Sequence, residues 1–101
     1  MLNDDPAAAR TIARRHMKRY LELDNYVNNL RRLGWGDADL AEGGSDKLVD
    51  AIVVWGASTA IKARINEHRK RGADHVCLQV LRADLKGSPT ADLERIAKVV
   101  L

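Results

Sequence analysis

The fold of this chain depends on one stretch of its sequence, Val76-Cys77-Leu78-Gln79-Val80-Leu81. The stretch is rich in β-branched and aliphatic residues and hardly alternates between apolar and polar side chains. That pattern is typical of a strand buried on both faces of a parallel sheet. A buried strand needs hydrogen-bonding partners for its backbone, and the rest of the chain offers no second strand of this kind. The stretch therefore predicts an α/β fold, and unless residues 50–55 form a second strand, the other strands lie in sequence that is not here.

The residues before this stretch show helical periodicity. Asp5-Pro6 is a capping residue followed by a proline at the first helical position. Apolar residues then recur in steps of three and four up to Leu30, which predicts a long helix that residues 21–26 bend or interrupt. Gly34 and Gly36 are expected to end this helix, and residues 37–44 read as a polar loop.

Three further helices are predicted. The first is capped by Ser45 or Asp46 and extends to Trp55, although the β-branched residues 50–55 leave a strand as an alternative. The next covers residues 58–71 and stops at Gly72 after a basic last turn. A loop over residues 82–87 precedes Ser88-Pro89, which begins a terminal helix.

Composition restricts the classes of protein that this chain can form. At 101 residues, with 46% hydrophobic and 31% charged residues, it forms one globular domain at most. The apolar run over residues 51–61 is too short to span a bilayer, and the acidic residues after Met1 do not fit a secretory signal. Its single cysteine, Cys77, cannot form an internal disulfide. A cytoplasmic location is therefore predicted.

Histidine, cysteine and acidic residues suggest no catalytic or metal site. His16 and His68 each sit on a predicted helix without a second ligand at a suitable spacing, so no metal is expected. Cys77 lies among apolar neighbours without a flanking base and is expected to act as a small hydrophobic residue. Asp46 and Asp50 lie one turn apart and are interpreted as a cap and a surface contact. No catalytic residue is predicted.

A family resemblance rests on three segments taken in order, namely residues 20–34 (YLELDNYVNNLRRLG), 44–51 (GSDKLVDA) and 72–80 (GADHVCLQV). Together they resemble the C-terminal part of luciferase-like flavin-dependent oxidoreductases and monooxygenases, and most closely the branch that uses coenzyme F420. The likeness covers about residues 5–101.

The resemblance implies a fold and a function. The fold would be a C-terminal fragment of a (β/α)8 TIM barrel, mostly helical in isolation, with about one strand. Residues 6–56 would be a helical insertion, and residues 58–101 the last helix-strand-helix unit of the barrel. The parent family transfers a hydride or electrons with F420 or FMN. Because most of the barrel is not here, the isolated chain is expected to be inactive and to bind neither cofactor.

Two residues are the cofactor-binding candidates that this resemblance implies. Gln79 and Arg82 would lie near the end of the eighth strand, where barrel enzymes place functional groups. There they would face the cofactor ring or its phosphate. The alternative is structural, with Gln79 in a polar layer of the barrel interior and Arg82 as an exposed loop charge.

Other classes of function remain open. The net charge is +3, with basic clusters in residues 10–19 and 62–71, as in a small helical nucleic-acid-binding module. Their helical spacing with Ala and Ile favours solvated helix faces instead. A helical protein-interaction module would bury residues 76–81 against a partner chain and form an obligate oligomer, with self-association as one alternative. A split barrel would instead pair the chain with a separately encoded N-terminal part.

Overall fold

The computed structural model describes residues 1–83 and 88–101, and these residues form six α-helices. In chain order they are α1 (Pro6–Leu21), α2 (Asp24–Arg32), α3 (Asp37–Leu40), α4 (Asp46–Ile52), α5 (Ser58–Lys70) and α6 (Thr90–Val100). The described residues contain no β-strand, and isolated bridges from Leu2 and Asn3 to Gly56 are their only β-type pairing.

The α/β prediction is therefore wrong, and with it the assignment to a TIM-barrel fragment. Residues 76–81 have the composition of a buried strand, but their backbone forms neither a helix nor a ladder. The composition of a segment indicates only which side chains a strand could bury. The strand itself forms only where a second backbone supplies its hydrogen bonds. The described elements near this segment are helices, whose backbone N–H and C=O groups are hydrogen-bonded within each helix and therefore do not pair with the segment.

The boundaries of α1, α2 and α5 agree with the sequence analysis. The chain leaves helical geometry at residues 22–23, so the long predicted helix is interrupted where residues 21–26 suggested. Gly34 and Gly72 follow α2 and α5 with φ of 103° and 104°. An added side chain would be strained at such angles, which explains glycine at both helix ends.

Two predicted boundaries in the middle of the chain are wrong. Residues 37–40 form the short helix α3 rather than a loop. Helix α4 is capped as predicted, since the Ser45 hydroxyl accepts a hydrogen bond from the Leu48 N–H, but it ends at Ile52 instead of Trp55. The β-branched Val53 and Val54 follow in non-helical geometry, consistent with their weak helix propensity. The predicted loop over 82–87 lies partly outside the described residues.

The apolar side chains form two clusters. Cluster one joins α1 to α4 and includes four residues that are completely buried, namely Ala9, Ala13, Leu48 and Val49. Cluster two joins α5 to α6 through Ile61, Ile65 and Ile96. The small side chains of α1 allow the two helices of cluster one to approach closely, so much of the stability depends on that contact.

Leu48→Ala is expected to lower the free energy of unfolding by about 2 to 5 kcal/mol, because it removes a fully buried side chain and leaves a cavity. Urea denaturation followed by circular dichroism measures this change. Leu33→Ala is the matched control, since Leu33 is 69% exposed and its loss should cost little. Equal destabilisation by the two variants would contradict the assignment of cluster one as the core.

Candidate functional site

The candidate site is the stretch over residues 76–81, called here the 76–81 segment. Val76 and Val80 pack against cluster two, and Leu81 is buried in cluster one. Between these anchors Cys77, Leu78 and Gln79 are exposed. The segment thus connects the two clusters and presents its middle to solvent.

The backbone of this segment is open to further contacts. Within residues 1–83 and 88–101, no backbone-to-backbone hydrogen bond involves residues 74–81. Free N–H and C=O groups beside apolar side chains can pair with another polypeptide backbone. The segment is thus suited to association with another chain.

Grooves lie on both sides of the 76–81 segment. The first, of about 380 Å³, separates it from residues 51–54 and from α5, and is lined by Val54, Ile61 and Leu78 with the polar side chains of His16, Arg64 and His68. The second, of about 430 Å³, separates it from α6 and is lined mainly by aliphatic side chains. Both grooves are predominantly apolar, as expected of surfaces that bind apolar groups.

The two residues predicted to bind a cofactor have different surroundings. Gln79 is exposed and lines the first groove. Arg82 is also exposed, and its guanidinium donates a hydrogen bond of 2.6 Å to the Ser88 carbonyl oxygen. Gln79 therefore faces α1 and α5, whereas Arg82 reaches toward the start of α6.

The thiol of Cys77 does not occupy the buried position that was predicted for it. It is exposed, because the segment has no second layer to cover it. His16 and His68 line the first groove, and His75 lines the second. Across residues 1–83 and 88–101, no three His, Cys, Asp or Glu side chains are grouped so as to hold a metal ion.

A network of ion pairs joins α1 to α4. The Arg10 guanidinium donates two hydrogen bonds to the Asp50 carboxylate, of 3.0 and 2.7 Å, and Arg14 pairs with Asp46. The Trp55 indole N–H also donates to Asp50, at 2.9 Å, and the Arg10 guanidinium lies 5.4 Å from the Trp55 ring. The hydrogen bonds from Arg10 lower the pKa of Asp50 below its ordinary value. Partial burial of the carboxylate opposes this shift, and the hydrogen bond from Trp55 adds to it.

This network was not predicted from the sequence, in which Asp46 and Asp50 were interpreted only as a cap and a surface contact. A signal was present, since Arg10 with Arg14 and Asp46 with Asp50 are both spaced by four residues. Such spacing places each pair on one face of its helix. Two complementary faces of this kind favour contact between the helices.

The first basic cluster is largely engaged within the chain. Arg10 and Arg14 form the ion pairs with α4, and Arg15 donates a hydrogen bond to the Ala83 carbonyl oxygen. Lys18 and Arg19 are exposed in the last turn of α1. The surface of α1 therefore presents fewer free basic side chains side by side than the sequence suggested.

Comparison with known proteins identified no relatives: no family model, no curated protein and no solved structure matches this chain. None of the helices in the described parts of the chain is both long and apolar enough to cross a bilayer.

Asp50→Asn is expected to lower the melting temperature by about 5 °C, because the neutral amide loses the charge-assisted bonds from Arg10. The pKa of Asp50 is lower in the folded state, so its stabilisation is complete above the ordinary carboxylate pKa of about 3.9 and disappears at lower pH. The difference between variant and parent should therefore shrink as the pH falls below about 4. Thermal melts at several pH values measure both effects.

Asp37→Asn provides the control for this prediction. Asp37 pairs with Arg31, but its side chain is 87% exposed, so solvent screens the pair. Its loss should change the melting temperature much less. A pH-independent difference for Asp50→Asn would show that the carboxylate charge is not what stabilises the contact.

Proposed function

We propose that this chain is one part of a luciferase-like oxidoreductase or monooxygenase that uses coenzyme F420 or FMN, and that it is inactive until further polypeptide covers the 76–81 segment. The observation that supports it is the backbone of this segment, which has no backbone hydrogen bond to other described residues although most of its side chains are apolar. The resemblance of residues 20–34, 44–51 and 72–80 to that family supports the choice of family.

The need for further polypeptide follows from the chemistry of the exposed surface. Leu78 is 37% exposed beside two apolar grooves, and the segment adds N–H and C=O groups that form no backbone hydrogen bond with residues 1–83 or 88–101. A second backbone along the segment would bury the apolar side chains and satisfy the polar groups together. Association would therefore be favoured by both contributions.

The isolated chain is proposed to lack redox activity because the grooves beside the 76–81 segment are open to solvent and do not enclose a cofactor. In enzymes of this class the flavin or deazaflavin supplies the hydride or electron chemistry, and the protein supplies binding, orientation and electrostatics. Gln79 lies at a groove and would contact the cofactor ring in the assembly. Arg82 would reach a cofactor phosphate only by rearranging its bond to Ser88.

The decisive experiment combines the chain with the polypeptide encoded by the adjacent DNA. Mixing the two with F420 or FMN should change the cofactor fluorescence and yield reductase activity, whereas the chain alone should do neither. An assembly that forms but binds neither cofactor would contradict the redox assignment. Failure to form any assembly would contradict the proposed role of the segment.

Leu78→Asp should abolish this association, because it places a charge in the apolar surface that the partner covers. Leu78 is already partly exposed, so the isolated variant should keep the helical content of the parent. Leu33→Asp introduces the same charge at a site that lines neither groove, and it should associate normally. Sedimentation velocity of each mixture measures the outcome, and equal association of both variants would argue against the segment as the interface.

An interaction module without redox chemistry is the second candidate function. The exposed 76–81 segment also supports this candidate, because the segment could pair with the same segment of a second copy of the chain. Light scattering of the purified chain would then give twice the monomer mass, and Leu78→Asp would restore the monomer. Dimerisation without cofactor binding by any assembly would favour this candidate over the first.

A nucleic-acid-binding role is not proposed, since the engagement of Arg10 and Arg14 with α4 argues against the basic face that it requires. A cytoplasmic location is part of the proposal. The exposed thiol of Cys77 supports a reducing compartment.

A further inference from the structure

A pocket of about 330 Å³ lies between α1, α2 and the middle of the 76–81 segment. Its floor is apolar and includes Met17, which is buried in cluster one, together with Leu21 and Leu30, which pack against that cluster. The volume is near the lower limit for ligand pockets. A ligand of one or two fused rings is the size that such a pocket accepts.

Aromatic rings form one wall of this pocket. The Tyr20 ring lies between those of His16 and Tyr26, with centroid distances of 5.5 and 5.0 Å and interplanar angles of 56° and 65°. Tyr20 and Tyr26 are 37% and 46% exposed, so their rings are only partly covered. Exposed aromatic rings beside an apolar floor favour stacking with a planar ligand.

Two side-chain amides complete the pocket. Asn29 comes from α2 and Gln79 from the 76–81 segment, so the fold brings together residues that are distant in sequence. Neither side chain forms a hydrogen bond to another described residue. Each amide offers a donor and an acceptor side by side, the arrangement that pairs with the N6 amino group and N7 of adenine.

We infer that this pocket binds the adenine base of a ligand such as adenosine. The base stacks against the tyrosine rings over the apolar floor, and the edge of the base that carries N6 and N7 pairs with the amide of Asn29 or Gln79. The inference does not depend on the proposed redox function, because all of these groups are present in the chain alone.

Binding is tested by titrating the isotopically labelled chain with adenosine and recording backbone amide chemical shifts by NMR. Adenosine should shift the signals of residues around Tyr20, Tyr26 and Asn29 in a saturable manner. Indole is the control ligand, since it has a fused ring system but no matching pair of donor and acceptor. It should bind at least about fivefold more weakly, the lower limit for one paired amide.

Variants identify the contribution of each group. Asn29→Leu and Gln79→Leu should each weaken adenosine binding. Loss of the amide that pairs with the base should weaken binding by about fivefold or more, so the more affected variant identifies that amide. Asn28→Leu is the matched control, because Asn28 is an exposed neighbour on the same helix that does not line the pocket. Tyr26→Leu should weaken binding by removing a ring, whereas Tyr26→Phe should preserve it. Circular dichroism of each variant verifies that it remains folded.

Three results would overturn the inference: no saturable shifts with adenosine, equal affinity for indole, or equal loss of affinity in Asn28→Leu and both amide variants. These outcomes are distinguishable from failure of the proposed function. Nucleoside binding is measured on the chain alone, whereas redox activity is measured only on the assembly.

Discussion

The contact between α1 and α4 is the constraint on which the rest of the structure depends. Ala9 and Ala13 bring α1 close to Leu48 and Val49, and none of these four side chains is exposed. Ion pairs follow the edge of the contact in reversed order, Arg10 with Asp50 and Arg14 with Asp46, as in two antiparallel helices. The apolar contact supplies most of the stabilisation, and the charged rows add to it and fix which residues face each other.

The same contact determines the position of the second half of the molecule. The guanidinium of Arg64, on α5, donates hydrogen bonds to the carbonyl oxygens of Asp50 and Ala51 near the end of α4, at 2.9 and 3.0 Å. These carbonyls lie in the last turn of α4, where a helix has no partner of its own for them. Helix α5 therefore satisfies the end of α4 while it packs on α6 through cluster two.

The elements predicted correctly from the sequence are those that local interactions determine. Positive φ at Gly34 and Gly72 and the capping hydroxyl of Ser45 act within a few residues, so their patterns predict where helices begin and end. The status of residues 76–81 was not predictable in this way, because a strand requires a partner that local sequence does not encode. The same limit applies to the candidate site. Gln79 was identified as a site residue, but its neighbours Tyr20 and Asn29 come from helices α1 and α2, and their approach depends on tertiary packing.

Leu81 has a consequence for how the chain folds as it is synthesised. It belongs to cluster one, whose other members come mainly from residues 1–53, so that cluster is complete only after residue 81 has left the ribosome. Because a ribosome adds about 5 to 20 residues per second, the apolar faces of α1 and α4 stay without this last member for seconds. Chaperones that recognise apolar helices in nascent chains would have that interval in which to bind them.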